Sequence, residues 1–137
     1  MRKTIELSTH RREELIDITA QVAEIVRASG TRDGIVHLYA QGATAAIMIQ
    51  ENWDASVPSD VVGFLHKLIP PGVWLHDQQD GNGDAHLKAG LVGPSEAVPI
   101  IDGKLGLSTW QGIFFCEFDG PRQQRSIVCT MLCDSAV

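Results

Sequence analysis

Thr4-Ile5-Glu6-Leu7-Ser8 alternates apolar and polar side chains, the period of a half-buried strand. Ser8 or Thr9 follows as a helix-capping residue. From Glu13 to Arg27 the apolar positions Leu15, Ile18, Val22, Ile25 and Val26 recur every three or four residues. That spacing predicts a helix lying across a sheet, with Glu14, Asp17, Gln21 and Glu24 on its wet face and Ser29-Gly30 at its end. Gly34 to Ala40 and Thr44 to Gln50, separated by Gln41-Gly42, are rich in β-formers and predict neighbouring strands. The second lacks alternation and is expected to be covered on both faces. Pro58-Ser59-Asp60 opens a helix through Val61, Val62, Phe64, Leu65, Leu68 and Ile69, which Pro70-Pro71-Gly72 stops.

Val73 to His76 is expected to be a short strand feeding a polar loop. Asp84 then caps a short helix through Ala85, Leu87 and Leu91 that ends at Gly93-Pro94, with His86 in its first turn. Ala97 to Ile101 is a strand, Asp102-Gly103 a hairpin turn, and Leu105 to Phe118 one long strand or a strand broken at Gly112. Asp119-Gly120-Pro121-Arg122 is a tight connection, and Ser126 to Leu132 closes the chain. Two main helices, a short third, and mostly hairpins late in the chain predict an α+β fold with an antiparallel sheet. No repeat or linker interrupts residues 1–137, so a single compact domain is expected.

Composition narrows the partners. A formal net charge of -6 disfavours nucleic acid and anionic membranes, which need clustered Lys and Arg. No apolar run approaches the length of a membrane helix. Three cysteines, Cys116, Cys129 and Cys133, without close pairing, suggest a reducing cytoplasm. Cys116 reads as a buried structural thiol on the same strand face as Phe114.

The segment Trp74 to His86 gathers the chemistry. It carries two imidazoles, His76 and His86, and three carboxylates, Asp77, Asp80 and Asp84, in one loop. Imidazole and carboxylate suit a divalent ion such as zinc, magnesium or manganese, with His76 and His86 as ligands, and they suit general acid-base work equally well. A polar loop whose histidine merely caps a helix accounts for the same residues. The helix start also favours an anion beside His86. Glu51 and Asn52, at the end of a buried strand, are a second candidate group, with turn formation as the alternative for Asn52. Trp110, Gln111, Glu117 and Asp119 form a third, in which Glu117 can pair with Arg122 or Arg125. Of the scattered arginines, Arg122 after the Gly-Pro turn is best placed to bind an anion.

These residues carry a resemblance. Thr44-Ala45-Ala46 through Glu51-Asn52, the run Asn82-Gly83-Asp84-Ala85-His86-Leu87-Lys88, Gly103-Lys104-Leu105 with Thr109-Trp110-Gln111, and Glu117-Phe118-Asp119-Gly120-Pro121-Arg122 resemble the YjbQ family, described as secondary thiamine-phosphate synthases. The resemblance implies a β-sandwich-like antiparallel sheet and assembly as a homotrimer. Its implied activity joins a pyrimidine diphosphate to a thiazole phosphate with release of pyrophosphate. By position, His86, His76, Glu51 and Asp84 are the expected catalytic residues, and Asn52, Asn82, Arg122 and Gln111 the expected ligands of a small phosphorylated substrate. The family usually has His-Thr-Thr where this chain has Gly42-Ala43-Thr44, which removes one imidazole and one hydroxyl. A trimeric metal- or phosphate-binding protein without turnover is therefore the alternative, and a purely structural role carried by the Trp110 to Phe118 segment is the third reading.

Overall fold

The structure, a computed structural model, describes residues 1–135. The opening alternation forms β1 (Arg2–Leu7), which pairs antiparallel with the last strand, β8 (Arg125–Cys133), so the first and last strands lie side by side. The next stretch departs from the helix expected from Glu13. Glu14–Asp17 is a strand, β2, and the helix α1 covers only Thr19–Ser29. Two features decide this. Leu15 and Ile16 are adjacent apolar residues that point to opposite faces, into different cores, which only a strand allows. Asp17 Oδ1 then accepts the Thr19 N–H at 2.9 Å and fixes where the helix begins. Ile18, Val22 and Val26 are fully buried, as the spacing requires.

β3 (Gly34–Ala40) and β4 (Ala45–Glu51) fall where the β-formers place them, but they enter different sheets. α2 (Ser56–Leu68) follows, then a 3-10 turn (Leu75–Gln78), α3 (Gly83–Val92), β5 (Ser95–Ile101), β6 (Lys104–Leu105) and β7 (Gln111–Glu117). Val73 to His76 is not a strand. The Trp74 N–H is taken by the Asp77 side chain at 3.0 Å and the Trp74 indole by the Pro70 carbonyl at 2.7 Å, so the segment satisfies itself locally without a neighbour. Leu105 to Phe118 is broken at residues 106–110, ahead of Gly112. Gly112 itself is needed for another reason, since a Cβ there would come within 2.5 to 2.7 Å of the Asn52 side chain.

Together these elements make one compact α+β domain. Strands β1-β8-β3-β5-β6 form a five-stranded antiparallel sheet and β2-β7-β4 a three-stranded one. The larger core lies between the sheets and includes α1. Ile113 and Phe115 of β7 enter it, whereas Cys116 and the following Phe118 enter a second, smaller core with Leu65 of α2 and Ala85 and Ala89 of α3. The first half of β4 is covered on both faces, as expected: Ala45 and Ile47 face one core and Ala46 and Met48 the other. No helix among the described residues is long and apolar enough to cross a membrane.

Candidate functional site

α3 starts at Gly83 with Asn82 as its N-cap, and the cap is not the one expected. Asp84 lies inside the helix. The carboxylate that takes the first N–H of α3 is Asp77, which accepts from Gly83 at 2.8 Å and from Trp74 at 3.0 Å. Those two backbone donors, Trp74 foremost, hold its pKa below the ordinary carboxylate range. The place where an anion was expected beside the helix start is thus occupied by a side chain of the protein itself.

The same arrangement brings the two imidazoles together. His76, in the 3-10 turn that Asp77 ties to α3, and His86, one turn into α3, meet edge to face with ring centroids 4.8 Å apart. His76 Nε2 also lies 3.3 Å from Asp80 Oδ2. Asn82 is the residue before the first turn of α3, four positions ahead of His86. Its Nδ2 donates to Asp119 Oδ2 at 2.8 Å, which fixes the orientation of the amide and leaves Oδ1 buried with no protein partner among the described residues. Asp119 Oδ2 also takes Arg122 Nη2 at 2.8 Å, and the Asp119 carbonyl takes Arg122 Nε at 2.9 Å. Asn82, whose carbonyl accepts the His86 N–H at 3.3 Å, therefore links the imidazole pair to Asp119 and Arg122 through successive hydrogen bonds.

Asp84 is not joined to them. Two residues before His86, it points around the helix into a buried ion cluster, where Arg12 donates to both carboxylate oxygens at 2.9 and 3.1 Å and Lys88 Nζ at 2.8 Å. Lys88 also binds Glu13, and Glu13 reaches His66 Nδ1 at 3.4 Å. Burial works against the charged form of Asp84, but the hydrogen bonds from Arg12 and Lys88 outweigh it and the pKa is lowered. With a side chain wholly shielded from solvent, Asp84 supports α3 and cannot reach a ligand.

A second buried pair was open in the sequence. Glu117 pairs with Arg125, whose Nε donates to Oε1 at 2.9 Å and whose Nη2 donates to Oε2. Thr9 Oγ1 donates to Glu117 Oε1 at 2.7 Å and the Asp119 N–H to Oε2 at 3.1 Å. Thr9, expected to cap a helix, instead serves Glu117 and the Arg122 N–H, and Arg12 and Lys88 are the residues whose roles sequence reasoning passed over. Nothing in the spacing shows that Lys88 is buried or that the half-exposed Arg12 reaches across to Asp84.

Glu51, Asn52 and Gln111 lie elsewhere. Glu51 pairs with Gln111 at one end of the β4-β7 ladder and Ala45 with Glu117 at the other, six residues apart, or about 20 Å along the strand. Asn52 Nδ2 donates to Asp17 at 3.1 Å, Gln111 Oε1 accepts from Ser108 N at 2.9 Å, and Trp110 meets the exposed Trp53 edge to face at 5.4 Å. These residues cannot share a small ligand with His86 within one chain.

For a metal ion the fit is partial. The two imidazoles stand at a separation that ligands of one ion adopt, while among the described residues no three His, Cys, Asp or Glu side chains converge to hold one.

This two-sheet α+β domain is shared with a known family. Residues 3–134 match the family of UPF0047 proteins, YjbQ-like, and the chain belongs to it. It is 47% identical over 123 residues to a UPF0047 protein of Methanocaldococcus jannaschii, covering 90% of this chain and 88% of that one. To the UPF0047 protein YugU of Bacillus subtilis it is 39% identical over 134 residues, 96% of this chain and 99% of that one. The crystal structure of a protein of unknown function from Sulfolobus solfataricus superposes with a TM-score of 0.94 at 37% identity, over 98% of this chain and 97% of the other.

Proposed function

We propose that the protein is a small enzyme acting on phosphorylated heterocycles, joining a pyrimidine diphosphate to a thiazole phosphate with release of pyrophosphate. The observation that carries this reading is the His76-His86 pair at 4.8 Å, with Asn82 hydrogen-bonded both to the His86 backbone and to Asp119, which holds Arg122. In this reaction the thiazole nitrogen attacks the methylene carbon of the pyrimidine. A C–N bond forms, the C–O bond to pyrophosphate breaks, and pyrophosphate leaves with the electron pair. No proton need move, so the protein's work is to orient the partners and to offset the charge on the leaving group.

Imidazole N–H groups of His76 and His86 and the remaining guanidinium N–H groups of Arg122 are the donors for pyrophosphate oxygens. Asn82, held by Asp119, anchors the start of α3 and with it the position of His86. Arg12, Lys88, Arg122 and Arg125 all face carboxylates already, so a divalent ion on His76 and His86 would add the positive charge that the leaving group calls for. The three free thiols support a reducing compartment such as the cytoplasm, and the exposed Trp53-Trp110 pair supports a subunit contact in a homotrimer.

Purified protein is incubated with the two phosphorylated substrates and pyrophosphate release is followed. Turnover by the native chain with loss in His86→Ala supports the reading. Equal turnover by His86→Ala, or none by the native chain, overturns it. A second reading, binding of metal or phosphate without turnover, is favoured by Gly42 in place of the family's histidine. Calorimetric titration that depends on His86, in a protein giving no product, would establish it.

A further inference from the structure

α1 and the β5-β6 hairpin do not close on each other. Ala23 and Arg27 of α1 and its C-cap Gly30 recur at spacings of four and three on one side of the helix, facing Gly103, Lys104 and Leu105 of the hairpin. Between the two elements is an open cavity of about 590 Å³ whose wall is mostly apolar. Sites for small organic ligands have this size and this kind of wall. The space is real at the α1 end, where a Cβ added to Gly30 would meet nothing within 4 Å.

The rim of this cavity is cationic in a protein that is acidic. Arg27, Arg32 and Lys104 line it against one carboxylate, Asp102, whereas the whole chain has 11 Lys and Arg to 17 Asp and Glu. Arg27 holds Glu24 and Arg32 holds Asp102, but all four side chains are 61% to 79% exposed. Exposed pairs of this kind contribute little, so either arginine can be traded to another anion. Asp33, which approaches the same hairpin, accepts the Asp102 N–H at 3.2 Å. Lys104 has no carboxylate within ion-pair distance among the described residues. Arg32 Nη2 serves Asp102, while Nη1 lies over the hairpin turn, 3.9 Å from the point a Gly103 Cβ would occupy.

We propose that this cavity is a second ligand site, taking a small molecule with a compact apolar body and one carboxylate or phosphoryl group. The apolar body lies against Ala23 and Leu105, and the anion is met at the mouth by the Lys104 ammonium and by guanidinium N–H groups. None of the residues around the cavity belongs to the imidazole pair or to the Asn82-Asp119-Arg122 chain. The site therefore stands or falls apart from the reaction proposed above.

The test is a set of nitrogen-15 amide spectra of the full chain, titrated separately with naphthyl phosphate, naphthoate and the uncharged naphthyl methanol. Saturable shifts are expected at the amides of Ala23, Gly30, Gly103 and Leu105. The alcohol should bind about tenfold more weakly than the better anion, the loss of one charge-assisted hydrogen bond. Lys104→Ala should weaken the anion by a similar factor and leave the alcohol unchanged. Ala23→Phe, which places a ring in the cavity from an exposed helix position, should abolish binding of all three. Saturation by the phosphate alone assigns a phosphoryl group, and saturation by naphthoate alone a carboxylate. Shifts that never saturate at these amides, an alcohol bound as tightly as the anions, or native anion affinity in either variant overturns the proposal.

Discussion

Lys88 lies one helical turn after Asp84, and its ammonium, fully shielded from solvent, donates to the Asp84 carboxylate at 2.8 Å. With Arg12 on the other side, Asp84 is the negative centre to which two cations are tied. Removing one partner of such a buried set leaves charge without compensation, so Asp84→Ala should cost about 3 to 5 kcal/mol by urea denaturation. Replacing all of Arg12, Asp84 and Lys88 with apolar residues should cost much less than the sum of the single changes.

Acid should act through the same carboxylate. The folded-state pKa of Asp84 is lowered relative to its ordinary value, so its contribution is fully present above the usual carboxylate pKa. That contribution is lost as pH falls through the range between the ordinary and the lowered value. Melting temperature should therefore decline below about pH 4, and the decline should be shallower in Asp84→Asn, whatever its stability at neutral pH.

Asp77 is the pin between the two imidazoles, because it binds Trp74 N on one side and Gly83 N on the other. Asp77→Ala should leave the sheets intact while the Gly83 amide exchanges faster with solvent. The His76-His86 ring contact should loosen in step, and any metal titrating with these rings should bind more weakly than in the native chain. An unchanged Gly83 exchange rate would mean that the turn is held by something other than Asp77.

Thiol reactivity should divide by burial. Desolvation pushes the Cys116 thiol up to about 12 and that of Cys129 up to about 11, whereas Cys133 is exposed. At neutral pH a disulfide reagent should label Cys133 alone, and the other two should react only after denaturation. Prompt labelling of Cys116 in the folded protein would contradict the closed packing of the smaller core.

Gly112→Ala should force the Asn52 side chain off Asp17, because the new Cβ overlaps Asn52 from its Cβ outward. A loss of about 1 to 3 kcal/mol is expected by denaturant titration. Asn52→Ala in the same chain should recover part of it, and a double-mutant cycle would measure the coupling.

What could be read from the sequence and what could not differ by kind of interaction. Gly34–Ala40, the helix buried on Val22 and Val26, and the Asp102-Gly103 hairpin followed from period and turn chemistry, and the structure has each of them. The segment Glu14–Asp17 did not follow, because Leu15 and Ile18 satisfy a helical period as well as a strand whose two faces are both covered. The pairing of His76 with His86 was legible as loop composition. The roles of Asp77 and Asp84 were not, since two carboxylates near one helix start look alike until one of them meets Arg12, seventy-two residues away. Glu51 and Gln111 matched the family pattern and yet lie at the far end of the β4-β7 ladder, a separation that only strand register reveals.

β7, central in the sheet between β2 and β4, puts Ile113 and Phe115 into one core and Cys116 into the other, as its two neighbours also do, so this three-stranded sheet is the shared wall of both compartments. Neither compartment has a seal of its own. Once β7 detaches, solvent enters on both sides together, which makes melting a one-step event and makes the amides of residues 113–117 the last to surrender their protons to heavy water.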